Sequence, residues 1–243
     1  MTGKITDIVK EKIENVAYGF VFTANDFPVD VTKQKSVNKV LEILKKAEKI
    51  RRLSKGRYYK TKMTEFGELL PDSYQIVKDL LTENDKLIGY ITGYQIFNEL
   101  GLTTQVSAIL QIGTIKDKKS MKRSYYRIKF VKQWNPITKE NISLLQLLDC
   151  LRFFKIIPDA MPADSCKRLL NLLSKLDDNQ RSKIKKLVLK YTPQAIALLG
   201  AMFETLNPNE NVELLKESLN FQTFYQLSIP QEILPTQKKW NIR

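Results

Sequence analysis

An apolar stripe followed directly by a basic hairpin constrains the fold of the first quarter of this 243-residue chain. The stripe predicts an amphipathic helix over about residues 33–49. Its members, which recur at helical spacing, are Val37, Val40, Leu41, Leu44 and Ala47. The segment that follows, IRRLSKGRYYKTK, predicts two short strands around a turn in which Gly56 can take a positive φ angle. A helix with one apolar face must pack against another element, so we expect a small domain here.

The residues before this helix complete a characteristic order of elements. Apolar positions at helical spacing predict a first helix over about residues 3–16, and a short apolar run, Phe20–Phe22, follows. Thr23 can cap a short helix, Ala24–Phe27. Helix, short helix, longer helix and basic hairpin, within about 60 residues, is the order of a winged helix-turn-helix domain, which we predict for residues 1–65. Another small α+β domain could share this order.

The positive charge of the chain is concentrated in two segments. The chain carries 40 Lys+Arg and 26 Asp+Glu, a formal charge of +14. Residues 1–62 contain 15 basic and 7 acidic side chains, and residues 116–131 contain 7 and 1, whereas residues 63–115 contain 2 and 7. The two basic segments are separated by an acidic one. We therefore expect only the basic segments to contact nucleic acid or another acidic partner.

The predicted winged domain supplies candidate DNA-binding residues. A helix in the major groove reads base edges from its first turns, where Gln34 and Asn38 suit adenine. Basic side chains of the hairpin can contact phosphates. The predicted DNA-binding residues are Thr23, Lys33, Gln34, Lys35, Ser36, Asn38, Lys39, Arg51, Arg52, Lys55, Arg57 and Tyr59. The alternatives are a solvated helix face and, for Thr23, simple capping.

The remainder of the chain predicts a small α/β domain at 66–135 and a helical region at 136–243 packed with it, so the overall class is α+β. The middle part has a helix near 73–82 and three candidate strands. These strands are Lys86–Thr92, Val106–Ile115 and Tyr125–Val131, the last two facing each other across a basic turn. The C-terminal helices are predicted at 143–155, 163–176, 178–190, 193–206 and 211–218, with Asp164 and Thr192 as caps and Pro193 at a first helical position.

Several classes of chemistry are excluded or unsupported by composition. Without histidine the chain cannot form a Ser-His-Asp triad or a His-ligated zinc site. Cys150 and Cys166 are too few for a zinc site or a disulfide framework, and both are predicted to be core residues. No nucleotide-binding glycine motif is present. We therefore predict a protein without catalytic residues, metal or cofactor.

No membrane association is expected. The apolar runs fall short of the roughly 18 residues that a membrane-spanning helix requires, and the N-terminal sequence lacks the apolar core of a signal peptide. The expected location is the reducing cytoplasm.

The basic turn allows two further interpretations. A metal-dependent nuclease is a weak alternative, with Asp85, Asp117 and Lys119 as its metal-binding and basic groups. The turn can instead be a solvated hairpin tip or a second contact for a nucleic acid or a protein partner. The residues of this predicted patch are Lys116, Lys118, Lys119, Lys122 and Arg123.

Four stretches resemble the abortive-infection E-type (AbiEi-like) antitoxins of bacterial type IV toxin–antitoxin systems, over most of residues 1–206. They are Gly19–Thr23 with Asp26-Phe27; Val37–Leu41 with Ile50–Leu53 and Gly56–Tyr59; Thr92–Tyr94 with Asn98–Val106; and Tyr191–Pro193 with Leu198–Ala201. The LGLTTQV segment within the third stretch is the most specific.

This resemblance implies a two-part bacterial protein. The winged domain would bind repeats in its own promoter and repress transcription, and the remainder would neutralise a co-encoded nucleotidyltransferase-like toxin without needing a stable complex. No catalytic residues are ascribed to such antitoxins. The alternative is a winged-helix regulator whose C-terminal part senses a ligand or oligomerises.

Overall fold

The structure, a computed structural model, describes residues 5–65 and 67–243. It contains both helices and small β-sheets, which confirms the predicted α+β class. The chain divides into two compact units. The first unit extends to Asp79 and includes Lys122–Tyr126, and the second consists of Leu80–Met121 with Arg127–Arg243. The predicted boundaries at residues 65 and 135 do not coincide with this division.

Residues 5–65 and 67–81 contain three α-helices, two 3-10 helices and five short strands. In chain order they are α1 (Ile5–Asn15), β1 (Val21–Phe22), 3-10 helices at Ala24–Asp26 and Val31–Lys33, α2 (Gln34–Lys46), β2 (Arg51–Ser54), β3 (Arg57–Tyr59), β4 (Met63–Thr64), β5 (Gly67–Glu68) and α3 (Ser73–Leu81). The predicted start of the first helix at residue 3 lies outside the described residues.

A three-stranded antiparallel sheet organises the first unit, with strand order β1-β3-β2. Val21 pairs with Tyr59, and Arg51 pairs with Tyr59 from the other side. The hairpin turn consists of Lys55 and Gly56, and Gly56 has a φ angle of 72°. The predicted basic hairpin is therefore confirmed.

The apolar stripe of α2 forms the centre of the first unit. Val37 and Leu41 are fully buried and pack in one cluster with Val9 and Ile13 of α1. Ala47 was predicted to belong to the stripe, but α2 ends at Lys46 and Ala47 is exposed. The helix stops early because the chain turns toward β2 immediately after it.

Contacts from α3 explain why the first unit extends beyond residue 65. Gln75 Oε1 accepts a hydrogen bond from the Val21 backbone N–H at 3.2 Å, and Lys78 Nζ donates to the Val21 carbonyl. Side chains of α3 thus provide hydrogen-bond partners for both the backbone N–H and the carbonyl of Val21. The spacing of apolar residues predicts this helix but not the element that it contacts.

The rest of the chain contains six short strands and six helices longer than a 3-10 turn. They are β6 (Thr82–Glu83), β7 (Lys86–Leu87), β8 (Gly89–Thr92), α4 (Tyr94–Glu99), β9 (Ile109–Thr114), β10 (Met121–Arg123), β11 (Tyr126–Lys132), α5 (Lys139–Arg152), α6 (Pro162–Ser174), α7 (Asp178–Val188), α8 (Pro193–Leu206) and α9 (Glu213–Glu217).

The sheet of the second unit corrects the predicted pairing of β9 and β11. β9 pairs antiparallel with β8 but parallel with β11, with Arg127 opposite Ile109 and Lys132 opposite Thr114. The prediction that the two strands face each other across a turn is therefore wrong. The segment between them is long enough to cross back to the start of β9, and parallel pairing requires such a crossover.

Helices α5 and α8 form the centre of the second unit, and α8 is buried from Ala195 to Glu204. Cys150 and Cys166 are buried free thiols, as predicted. Thr192 precedes α8 with Pro193 in its first position, as predicted, whereas Asp164 lies inside the first turn of α6 because that helix begins at Pro162.

The C-terminal segment is fixed by Trp240, which is 2% exposed. Its indole Nε1 donates a 2.8 Å hydrogen bond to Glu204 Oε2 on α8. The ring lies directly over Gly200, where a methyl group would overlap it. The hydrogen bond and the ring packing attach the C-terminal segment to α8.

A polar network is buried between the sheet and α5. Asp149 Oδ2 accepts hydrogen bonds from Tyr90 at 2.7 Å and Thr92 at 2.6 Å, and Gln133 donates to the Tyr90 hydroxyl at 2.8 Å. Asp149 Oδ1 has no hydrogen-bond partner among the described residues. Burial raises the pKa of the Asp149 carboxyl to about 6, although the hydrogen bonds from Thr92 and Tyr90 lower it.

We predict that Gly200→Ala destabilises the protein by about 1–3 kcal/mol, because the added methyl group must displace the Trp240 ring. Helix propensity alone would predict the opposite effect, a gain in stability, because Ala favours a helix more than Gly does. Urea denaturation measures the free energy of unfolding. Asn171→Ala, at an exposed position of α6, is the control and should be neutral or stabilising. A Gly200→Ala variant as stable as the wild type would contradict this packing.

We predict that Asp149→Asn gains stability relative to the wild type as the pH rises from 5 to 8. A carboxyl whose folded-state pKa is raised stabilises the folded state only while it is protonated, and this stability is lost as the pH passes about 6. The relative gain should be about 1 kcal/mol over this interval, measured by denaturation at each pH. Glu217→Gln, an exposed carboxyl on α9, should show no such trend.

Candidate nucleic-acid interface

The solvent-facing side of α2 carries lysine and amide side chains. Lys35, Ser36, Asn38 and Lys39 are exposed, opposite the buried apolar stripe, and Gln34 is half-buried. The Asn38 Nδ2 donates to the Gln34 carbonyl at 3.1 Å, so this amide is hydrogen-bonded to the backbone of its own helix. Exposed amides and lysines at the start of a helix form a surface that can contact base edges and phosphates.

Acidic residues lie at both 3-10 turns that precede α2. Asp26 Oδ2 accepts from both the backbone N–H and the hydroxyl of Thr23, at 2.6 and 2.9 Å. Asp30 Oδ1 accepts from the backbone N–H and hydroxyl of Thr32, and these hydrogen bonds lower the pKa of Asp30. Thr23 is the residue that precedes the first 3-10 helix at its N-cap position, and its hydroxyl proton is directed toward Asp26.

Two arginines of the hairpin are paired with acids of the same unit. Arg51 lies 3.3 Å from Glu48 and 3.6 Å from Glu68. Arg52 lies 3.9 Å from Glu42. By contrast, no ion pair within the described residues involves Lys35, Lys39 or Lys55. The lysines, rather than the arginines, carry the uncompensated positive charge of this surface.

Asp79 binds two arginines. One of them, Arg123, was predicted to belong to the second basic patch, and the structure corrects this prediction. Arg123 contacts both oxygens of Asp79 at 2.6 and 2.8 Å, donates to the Ile76 carbonyl at 2.7 Å, and is 4% exposed. Arg57 lies 2.6 Å from the same carboxylate. Burial raises the pKa of Asp79, but the two guanidinium groups outweigh it and the pKa is lowered. Arg123 is therefore a buried structural residue.

Tyr59 also departs from its predicted role. Its side chain is 5% exposed and its hydroxyl donates to Glu68 at 2.8 Å. Tyr58 is buried as well, with its hydroxyl 2.5 Å from Glu42, and burial raises the pKa of Tyr58 to about 12. Because successive strand residues alternate between the two faces of a sheet, one of two neighbouring tyrosines would be expected to face outward. Both are instead covered, so Tyr59 is not available as a DNA contact.

The acids Glu42, Glu68 and Asp79 were not identified from the sequence as part of this surface. The three-residue spacing of Glu42 and Lys45 indicates their ion pair, which is 3.1 Å long. No comparable spacing links Glu68 or Asp79 to the hairpin. The pairs formed by Glu68 and Asp79 with hairpin arginines join residues that are distant along the chain.

The residues of the basic turn are divided between the units. Lys122 and Arg123 belong to the first unit, whereas Lys116, Lys118 and Lys119 belong to the second. Of the proposed nuclease residues, Asp85 lies in the turn between β6 and β7, and the exposed Asp117 pairs with Lys132 at 3.1 Å. Within residues 5–65 and 67–243, no cluster of three acidic or cysteine side chains could hold a metal.

The LGLTTQV loop has a defined structural role. Gly101 follows α4 with a φ angle of 69°, the left-handed conformation that commonly ends a helix. Asn98 Nδ2 donates to the Thr103 carbonyl at 3.3 Å, and Thr103 Oγ1 accepts from the Gln105 backbone N–H at 3.2 Å. The local polar groups thus support the loop itself. A partner-binding role of the loop stays a prediction.

Comparison with known proteins places this chain in a family. A family model, "Family of unknown function (DUF6088)", matches residues 8–196, and the chain belongs to this family. The crystal structure of the RV2827C protein from Mycobacterium tuberculosis is similar, with a TM-score of 0.59 and 12% sequence identity, over 94% of this chain and 86% of that chain. No curated protein matches. At this identity the similarity concerns the fold alone.

None of the helices in the described part of the chain is both long and apolar enough to cross a membrane.

Proposed function

We propose that the first unit is a winged helix-turn-helix domain that binds double-stranded DNA through α2. The observation that carries this proposal is the antiparallel order β1-β3-β2, in which the hairpin after α2 pairs with the strand after α1. α2 then follows a short 3-10 helix, in the order that such domains use. The outward lysines of α2 support the same proposal.

In this proposal the exposed face of α2 enters the major groove. Gln34 and Asn38 read base edges once the Asn38 amide rotates away from its own helix, and this rotation is open to an exposed side chain. Lys55 at the hairpin turn contacts backbone phosphates. The primary contacts are Lys33, Gln34, Lys35, Ser36, Asn38, Lys39 and Lys55. Arg51, Arg52, Arg57 and Thr23 are secondary, because each must exchange an acidic partner for a phosphate.

We predict that Lys35→Ala/Lys39→Ala weakens binding to a duplex from the upstream region of the gene. The wild-type logarithmic salt slope should be about −4 to −7 if five to eight phosphates are neutralised, and the variant slope should be shallower by about 1.8. Fluorescence anisotropy across a salt series measures both values.

The matched control is Lys167→Ala/Lys175→Ala, which removes two exposed lysines from α6 and its C-terminal cap. Its slope should equal that of the wild type. Equal slopes for the two double variants would mean that α2 is not the DNA-binding element.

We further propose that the protein is the antitoxin of a bacterial type IV toxin–antitoxin system and represses its own promoter. This proposal rests on the resemblance carried by the LGLTTQV segment and the three accompanying stretches. The protein would act in the cytoplasm without enzymatic activity, cofactor or metal, and would oppose a co-encoded nucleotidyltransferase-like toxin with or without a stable complex. Regulation by the first unit and neutralisation by the second are separable in this proposal.

Co-expression with the neighbouring nucleotidyltransferase-like gene tests this separation. Wild-type protein should restore growth, and full-length Lys35→Ala/Lys39→Ala should restore it equally while failing to repress a promoter reporter. If the wild type represses the reporter but leaves toxicity unchanged, the antitoxin proposal fails and the winged-helix regulator remains. Both proteins must be expressed from a promoter that is not their own.

A further inference from the structure

A row of alternating aromatic and basic side chains extends along β11 of the second unit. Phe130 and Lys132 are two residues apart and point to the same side of the strand. Trp134 continues this alternation, because Gln133 and Asn135 are each 2% exposed whereas Trp134 is 62% exposed. The Gln133 backbone N–H donates to the Thr114 carbonyl at 2.9 Å and keeps the segment extended. We call Phe130, Lys132 and Trp134 the aromatic row.

Lysines approach both aromatic rings of the row. Lys118 Nζ lies 5.8 Å from the centroid of Phe130, and Lys132 Nζ lies 5.0 Å from the centroid of Trp134. Lys190, at the end of α7, places its Nζ 3.5 Å from the Trp134 carbonyl. These are cation–π distances, and they place positive charge beside the half-buried ring of Phe130 and the exposed ring of Trp134.

Parallel pairing of β9 and β11 brings further groups to the same place. Because parallel strands end at the same edge of a sheet, the residues after β9 lie beside those after β11. Ile115 is 51% exposed there, and Lys116 and Lys118 line a cavity of about 240 Å³ that Glu83 also borders. The result is a concave surface next to the aromatic row.

The charge of this surface is positive. Its exposed or half-buried cations are Lys116, Lys118, Lys119, Lys132 and Lys190. The acids beside it are Glu83, at the cavity, and Asp117, which Lys132 binds at 3.1 Å. Arg152 supports the strand from behind by donating to the Lys132 carbonyl at 3.0 Å. A positive surface with exposed rings suits a polyanion that also presents flat apolar groups.

We propose that the aromatic row and its lysines bind single-stranded nucleic acid. Bases stack on Trp134 and Phe130 while the lysines contact phosphates, the combination used for single strands without strict sequence preference. Stacking on an exposed ring requires an unpaired base, so a duplex cannot use the rings. An acidic protein segment would satisfy the lysines but would leave the ring surface of Trp134 without a stacking partner. The site lies wholly in the second unit and goes beyond duplex binding by the first.

The full-length protein is tested with labelled ten-nucleotide oligo-uridine and oligo-thymidine by fluorescence anisotropy. Trp134→Ala should weaken binding about 5- to 150-fold, the range for loss of one stacked base. Trp134→Phe, which keeps a ring, should restore most of the affinity. Phe221→Ala removes an 80% exposed aromatic elsewhere in the second unit and should change nothing. Binding of either oligonucleotide supports the proposal, and the tighter one identifies the preferred sugar.

Intrinsic fluorescence supplies a second readout, because the chain has two tryptophans and Trp240 is buried. Single-stranded oligonucleotide should quench the wild type, and the quenching should vanish in Trp134→Phe. Lys118→Gln/Lys132→Gln should make the salt slope shallower by about 1.4. Polyglutamate, a polyanion without bases, should neither quench Trp134 nor compete at equal charge.

Three results would overturn the proposal: no binding of either oligonucleotide, equal binding by wild type and Trp134→Ala, or equal competition by polyglutamate. The last would identify a surface for an acidic protein. Failure here is distinguishable from failure of the DNA-binding proposal. Lys35→Ala/Lys39→Ala should leave oligonucleotide binding unchanged, and Trp134→Ala should leave duplex binding unchanged.

Discussion

Packing of the apolar stripe of α2 against α1 determines which side of the first unit meets solvent. Val37 and Leu41 are fully buried beside Val9, so the opposite side of the helix must face outward. Lys35 and Lys39 lie on that side, one helical turn apart. The position of the proposed DNA-binding surface therefore depends on which side of α2 is apolar and buried. A substitution that rotated α2 about its axis would displace this surface even in the absence of DNA.

Acids inside the first unit then determine which cations are available. Glu42 and Glu68 each bind a hairpin arginine and a buried tyrosine hydroxyl, and Asp79 binds two guanidinium groups. These pairs fix the hairpin in place but neutralise much of its charge. The lysines keep theirs, which is why we assign them the larger share of phosphate contacts. In the second unit, the parallel pairing of β9 and β11 also influences which cations are available, because it places lysines near Trp134.

Much of the local structure could be predicted because periodicity and turn chemistry are properties of neighbouring residues. The stripe of α2, the turn at Gly56 and the left-handed residue Gly101 all follow from short sequence patterns. The strand over 106–115 was predicted correctly in type but too long, since β9 begins at Ile109. Its parallel partner was mispredicted, because alternation identifies a strand without identifying its neighbour.

By itself the sequence determined the α+β class, the order of the helices and the basic hairpin within residues 5–60, the burial of both cysteines, and the location of the basic segments. Tertiary structure alone decided that Arg123 and Tyr59 are buried and that Trp134 is not. The physical reason is separation along the chain. Arg123 meets Asp79 over 44 residues, and no spacing rule encodes a contact at that distance. Whether a polar side chain is paired or available is set by such contacts.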